Sequence, residues 1–108
     1  MKLEAKVALV TGGGGGIGRA VSLALAGAGA KIAVADIAKD NAEAVRGEIQ
    51  KLGVDGMACQ VDLTKKAEVE RMVSEALGRF RQIDILVNCQ GWDHLAPFLE
   101  TDEDFWER

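Results

Sequence analysis

Five consecutive glycines, Gly12 to Gly16, and a further Gly18 separate two segments of opposite character. Before them stands Val7-Ala8-Leu9-Val10, short, uncharged and largely branched, which reads as a buried strand. After them Ile17, Ala20, Val21, Ala24, Leu25 and Ala28 recur at helical spacing. A strand, a glycine turn and a helix in that order form an anion site. The helix mouth offers unpaired amides and the positive end of its dipole, and glycines let a phosphate approach the backbone. The glycines alone would also suit a flexible loop or a tight strand–helix turn. Context narrows the choice: Ile32-Ala33-Val34-Ala35-Asp36 is a second apolar stretch that ends in a carboxylate. Asp36 stands where a ribose-binding acid belongs, about twenty residues beyond the loop.

At 108 residues one domain at most is expected, long enough for a core but short for a complete dinucleotide-dependent enzyme. With 48% hydrophobic and 28% charged residues, the chain has the composition of a globular protein rather than a disordered or membrane one. Its net charge of −4 is spread among interspersed acids and bases, which argues against a nucleic-acid surface. No apolar run is long enough to span a bilayer, and the first residues lack the pattern of a signal peptide, so a cytoplasmic location is expected. Cys59 and Cys89 both fall in strand-like apolar stretches and read as small core residues in a reducing compartment. They lack metal-site clustering, and His94 is the only histidine, so no metal is expected.

The pattern predicts a first strand over 6–10, the loop, and a helix to about Ala28, with Gly29 as a C-terminal cap. A second strand covers 31–36. Asp40 or Asn41 can cap a second helix with an apolar stripe of Ala42, Val45, Ile49 and Leu52, which Gly53 ends. A third strand spans about 56–61, a third helix 65–80, and a fourth strand 83–88. The core face of the third helix is Val69, Met72, Val73, Ala76, Leu77 and Phe80. Strands alternating with helices argue for an α/β fold with a parallel sheet and right-handed crossovers. Beyond a longer connection, acids at 102–104 suit the first turn of a further helix.

Asp36 can accept both hydroxyl hydrogens of an adenosine ribose. It would repel a 2′-phosphate by about 4 kcal/mol per unit charge at a separation of ~4 Å. Gly15 and Ile37, the neighbouring positions where a base could receive that phosphate, supply none, and Lys39 is the one nearby cation. NAD rather than NADP follows. Asp62, at the exit of the third strand, either accepts from an adenine amino group or forms a turn or helix cap. Asn88 and Gly91 occupy the corresponding end of the fourth strand. Asn88 can hold strand ends together through its amide, and Gly91 gives room for a nicotinamide ribose.

As a set, Thr11-Gly12-x-x-x-Gly16-Ile17-Gly18, Asp36, Asp62-Leu63 and Asn88-Cys89-Gln90-Gly91 resemble the cofactor signatures of the short-chain dehydrogenase/reductase family. The resemblance covers essentially the whole chain and implies a Rossmann-type doubly wound sheet binding NAD across its carboxyl edge. It implies that Gly12, Gly16 and Ile17 lie along the pyrophosphate, beside Gly15, and that Gly18 lets the helix pack closely. It further implies Asp36 and Ile37 at the adenine ribose, Asp62 and Leu63 at the adenine, and Asn88 and Gly91 at the inner ribose. The family's usual Asn-Asn-Ala-Gly is here Asn-Cys-Gln-Gly, and Gln90 adds bulk beside the cofactor.

Members of that family use a tyrosine as acid/base, with a lysine, a serine and an asparagine beside it. The resemblance implies that all four would lie beyond Arg108; this sequence contains no tyrosine that could substitute, and His94 is poorly suited to replace it. Gly91-Trp92-Asp93 with Pro97-Phe98 resembles dehydrogenases of cyclic 2-hydroxyacyl-CoA thioesters. Trp92 either packs on the last helix or meets substrate, and Trp106 reads as helix core or subunit contact. The expectation is the cofactor-binding half of an NAD-dependent oxidoreductase acting on a hydroxyl or keto substrate, homo-oligomeric when full length and inactive without the other half. A stand-alone nucleotide-binding module and a non-catalytic partner subunit are the alternatives.

Overall fold

In a parallel sheet covered on both faces, strand residues divide by parity between two cores, and this chain shows that division. The computed structural model describes residues 2–12 and 14–89. Its elements are β1 (Val7–Thr11), α1 (Gly16–Gly27), β2 (Lys31–Asp36), α2 (Lys39–Lys51), β3 (Gly56–Gln60), α3 (Lys66–Phe80) and β4 (Ile85–Asn88). The strands are all parallel, in the order β3-β2-β1-β4. This is the Rossmann-type order expected from the sequence.

Val7, Leu9, Ala33, Ala35 and Cys59 point to one face, where Val69, Met72, Val73, Ala76 and Phe80 of α3 cover them. Ala8, Val10, Ile32 and Val34 point to the other, against Ala42, Val45 and Ile49 of α2 and Ala26 of α1. The crossovers β1–α1–β2 and β2–α2–β3 advance in one direction across the sheet. The third returns past β1 to β4, which puts α3 on the opposite face. The chain therefore reverses direction at β1, and the carboxyl ends of β1 and β4 border a topological switch point, where open α/β sheets bind ligands.

Several local expectations are corrected. In α1 the buried residues are Gly18, Ser22 and Ala26, not the predicted stripe, and Ile17 is 76% exposed. The seam against the sheet admits only small side chains, so the larger apolar residues lie on its flanks. Helix α2 begins at Lys39 with Ala38 as its N-cap residue and no side-chain cap, so neither Asp40 nor Asn41 plays that part. Asp36 instead forms a turn ahead of the helix: its Oδ1 accepts the Ala38 amide at 2.9 Å, so the chain has turned before Asp40 is reached. Leu52 lies past the last helical residue and is half exposed. Gly29 and Gly53 follow their helices at positive φ, as the cap expectation requires. Strand β1 extends to Thr11, and β4 starts at Ile85 rather than 83. Asp84, just before β4, donates its amide to the Val7 carbonyl at 2.8 Å while its Oδ2 accepts the Val7 amide at 2.9 Å. A side-chain oxygen thus takes the place of a ladder carbonyl there.

Cys59 is buried on β3 and Cys89 is half-buried just past β4; both are free thiols. Among the described residues, no helix is long and apolar enough to cross a membrane.

Burial, with Glu75 3.7 Å away, pushes the Cys59 thiol from 9.0 up to about 11. The folded chain then holds this proton more tightly than the unfolded chain. Its stabilising contribution is complete below pH 9 and is lost as pH rises through 11. Chemical denaturation at stepped pH should show that Cys59→Ala flattens the decline between those values, and equal slopes would contradict it.

Candidate functional site

The site grows from the ends of the four strands. At the exit of β1, Thr11 is fully buried and its Oγ1 donates to Asn88 Oδ1 at 2.9 Å. This bond fixes the orientation of the Asn88 amide at the end of β4. The Cys89 amide donates to the Thr11 carbonyl at 2.9 Å, so β1 and β4 stay joined up to the switch point. Asn88 thus holds the strand ends, as its residue type predicts.

Gly12 then turns the chain at φ 70°, a left-handed conformation that favours glycine. Gly14 donates its amide to Asp36 Oδ2 at 3.0 Å. A Cβ on Gly14 would come within 2.9 Å of both Asn41 and the Ala42 amide nitrogen, so the loop rests directly on the start of α2. Gly15 and Gly16 differ, since a Cβ on either meets nothing within 4 Å. Gly15 has ordinary extended geometry, whereas Gly16 sits at φ 49°. Sequence alone does not single out Gly14. Five identical letters in a row conceal which glycine touches backbone, which needs a special φ, and which borders open space.

Helix α1 starts without a side-chain cap and with no acid in its first turn. Its leading amides and dipole are therefore available to an anion from outside. Arg19 does not compete for that role, because its guanidinium forms a forked pair with Glu48 on α2, with Nε to Oε1 at 2.9 Å. That bond raises the Arg19 pKa and lowers that of Glu48. An anion at this helix would therefore meet backbone groups rather than the Arg19 side chain.

Asp36 is 8% exposed, and its two oxygens accept from Gly14 and Ala38. It is at once the acid at the end of β2 and the tie between the glycine loop and α2. Next to it Ile37 is 57% exposed, unusual for a large apolar side chain. Ile37, Gln60, Val61, Asp62, Glu68 and Arg71 line a cleft of about 500 Å³ beyond the ends of β2 and β3. Asp62 realises the turn-forming alternative: its Oδ1 accepts from the Thr64 amide at 3.0 Å and hydroxyl at 2.6 Å. Its own amide donates to Glu68 Oε1 at 2.8 Å. Leu63 is in the core beneath, so only its backbone can face a ligand. Sequence reasoning misses Glu68 and Arg71 because they come from α3, where their i,i+3 spacing reads as a solvated charged face.

The structure thus gathers Gly12, Gly15, Gly16, Ile17, Gly18, Asp36, Ile37, Asp62, Leu63 and Asn88 along one edge of the sheet. Gly91, with Trp92, Asp93, His94 and Trp106, lies outside the described residues. Among the described residues no group of three or more His, Cys, Asp or Glu side chains could hold a metal.

Residues 6–108 match the family model described as short chain dehydrogenase. The chain is 41% identical to sorbitol dehydrogenase of Cereibacter sphaeroides over 108 residues, all of this chain and 41% of that protein. Among solved structures, a 7α-hydroxysteroid dehydrogenase complexed with NADH and 7-oxo glycochenodeoxycholic acid superimposes with a TM-score of 0.79 at 40% identity. That match covers 81% of this chain and 34% of the other. An NAD+-bound xylitol dehydrogenase gives 0.78 at 35% identity, over 80% and 33% of the two chains. The chain therefore spans about two fifths of the length of the curated relatives it matches.

Gly14 and Gly15 provide a paired test. Gly14→Ala should destabilise the fold by about 1–3 kcal/mol through its clash with α2. Gly15→Ala should leave the melting temperature unchanged yet weaken NAD binding roughly tenfold, about 1.4 kcal/mol. Calorimetric titration and thermal melts read both. A Gly15→Ala protein that binds as before would remove the phosphate from this side of the loop.

Proposed function

Because the chain belongs to the short-chain dehydrogenase family, we propose that it forms the NAD-binding part of an oxidoreductase. The enzyme would move a hydride between a nicotinamide ring and a hydroxyl- or keto-bearing carbon. The observation that carries this reading is the pairing of an uncapped α1 with the buried carboxylate of Asp36 across the same glycine loop. The residues present fit the cofactor. The amides at Gly16, Ile17 and Gly18 would take the pyrophosphate, with Gly12 and Gly15 leaving room beside it. Asp36 would accept the adenosine ribose hydroxyls, with Ile37 alongside. Asp62 and the Leu63 backbone would border the adenine, and Asn88 and Gly91 the inner ribose. When bound, the nicotinamide supplies or receives the hydride.

Preference for NAD over NADP rests on charge. A 2′-phosphate would meet a carboxylate that is nearly removed from water, where repulsion is screened less than at the surface. No basic residue stands at 15 or 37 to offset it. The chain contains no tyrosine, so in the whole enzyme the acid/base group would come from residues outside these 108. These residues would bind and orient the cofactor. Relatives named for polyols and hydroxysteroids support a secondary alcohol or ketone as substrate. An acyl-CoA thioester is our narrower reading of Gly91-Trp92-Asp93 and Pro97-Phe98. A homo-oligomer in the cytoplasm completes the proposal.

Cofactor titrations of the purified protein and of Asp36→Ala test this reading. The unaltered protein should prefer NAD to NADP by about tenfold or more, a gap of ~1.4 kcal/mol. Asp36→Ala should lose most of that preference, and two orphaned amides should lower its stability by about 1–3 kcal/mol. An unchanged NAD to NADP ratio would overturn the assignment, because loosening of the loop alone weakens both cofactors alike.

A further inference from the structure

The cleft beyond β2 and β3 has a wall that the cofactor signatures do not describe. The exposed Ile37 side chain, the buried Val61 just past β3 and Arg71 of α3 all line it. Arg71 is held in place. One terminal nitrogen donates to the Gln60 carbonyl at 2.7 Å and the other to Glu75 Oε1 at 3.1 Å, with Glu68 3.9 Å away. Gln60 Nε2 donates in turn to the Ile37 carbonyl at 3.3 Å. The guanidinium is thereby braced against the exit of β3, and Gln60 ties that exit to the end of β2.

We infer that Arg71 is a specificity-determining residue for the base of the nucleotide, lining the cleft together with Ile37 so that an adenine ring lies against both. This deepens the function proposed above and rests on it. Charge separates this role from phosphate binding. Asp62 and Glu68 line the same cleft and outnumber the single guanidinium, so the cleft disfavours an anion. What suits it is a neutral planar ring with a π face for the cation and a hydrogen-bond donor on its edge for the acids. A guanidinium presents a flat face that an ammonium lacks, so lysine is not an equivalent. A ring carrying an exocyclic amino group fits the acidic edge better than one carrying a carbonyl there.

The test compares NAD, nicotinamide hypoxanthine dinucleotide and nicotinamide mononucleotide on the unaltered protein, Arg71→Met and Arg71→Lys, with melting curves to check folding. Both variants should bind NAD about five- to tenfold more weakly, the order of one cation–π contact, with mononucleotide affinity unchanged. The unaltered protein should prefer adenine to hypoxanthine, and Arg71→Met should narrow that preference. Equal losses for NAD and the mononucleotide would reduce Arg71 to a structural brace and overturn the inference. Firm NAD binding that neither variant alters would overturn it while leaving the cofactor reading intact. Failure of the unaltered protein to bind NAD at all would overturn both.

Discussion

The carboxylate of Asp36 is the interaction on which the rest of the site depends. It lies at the end of a central strand, takes the Gly14 amide on one oxygen and the Ala38 amide on the other, and is almost removed from water. Two separate consequences follow. The glycine loop is seated on the start of α2, and α2 begins at Lys39 without a side-chain cap of its own. A negative charge is also fixed beside the mouth of α1, whose amides carry no cap. Positive backbone and negative side chain then stand side by side, an arrangement suited to a molecule with both phosphates and ribose hydroxyls.

Sheet topology puts that pair where a ligand can reach it. Because the third crossover returns past β1, helices cover opposite faces of the sheet on either side of β1, and the strand ends between them are uncovered by a crossover. The bond from Thr11 to Asn88 holds the two strands on either side of this gap at a fixed separation. Small residues in α1 and in the strands let the helices approach the sheet, with Gly18, Ser22 and Ala26 forming the α1 seam. The energetic load falls on the larger side chains under α2 and α3, such as Ile49, Met72 and Val45.

Much of this is legible in the sequence. The succession of strands and helices and the edge bearing the site follow from alternating apolar stretches and the glycine loop, while the strand order follows from the Rossmann-type fold that the family resemblance implies. Asp36 is identifiable from its distance to that loop. The misreadings share one cause, namely that tertiary contacts reassign side chains that local pattern assigns differently. Asp40 and Asn41 are good caps by type, yet Asp36 reaches the turn first. The α1 stripe is apolar by count, yet its seam on the sheet is set by size. Gly14 is indistinguishable from its neighbours until α2 packs against it. Glu68 and Arg71 read as solvated helix charges until the fold brings them beside Ile37 and Asp62.

The most direct measurement is an amide-resolved NMR titration of the protein with ADP-ribose, which contains the ribose, pyrophosphate and adenine but no nicotinamide. The account predicts shifts concentrated at residues 14–18, at Ala38, and at 62–64, with the amides of α2 beyond its first turn and the far ends of the strands undisturbed. Shifts that avoid the mouth of α1, or that scatter over the surface without saturating, would contradict it.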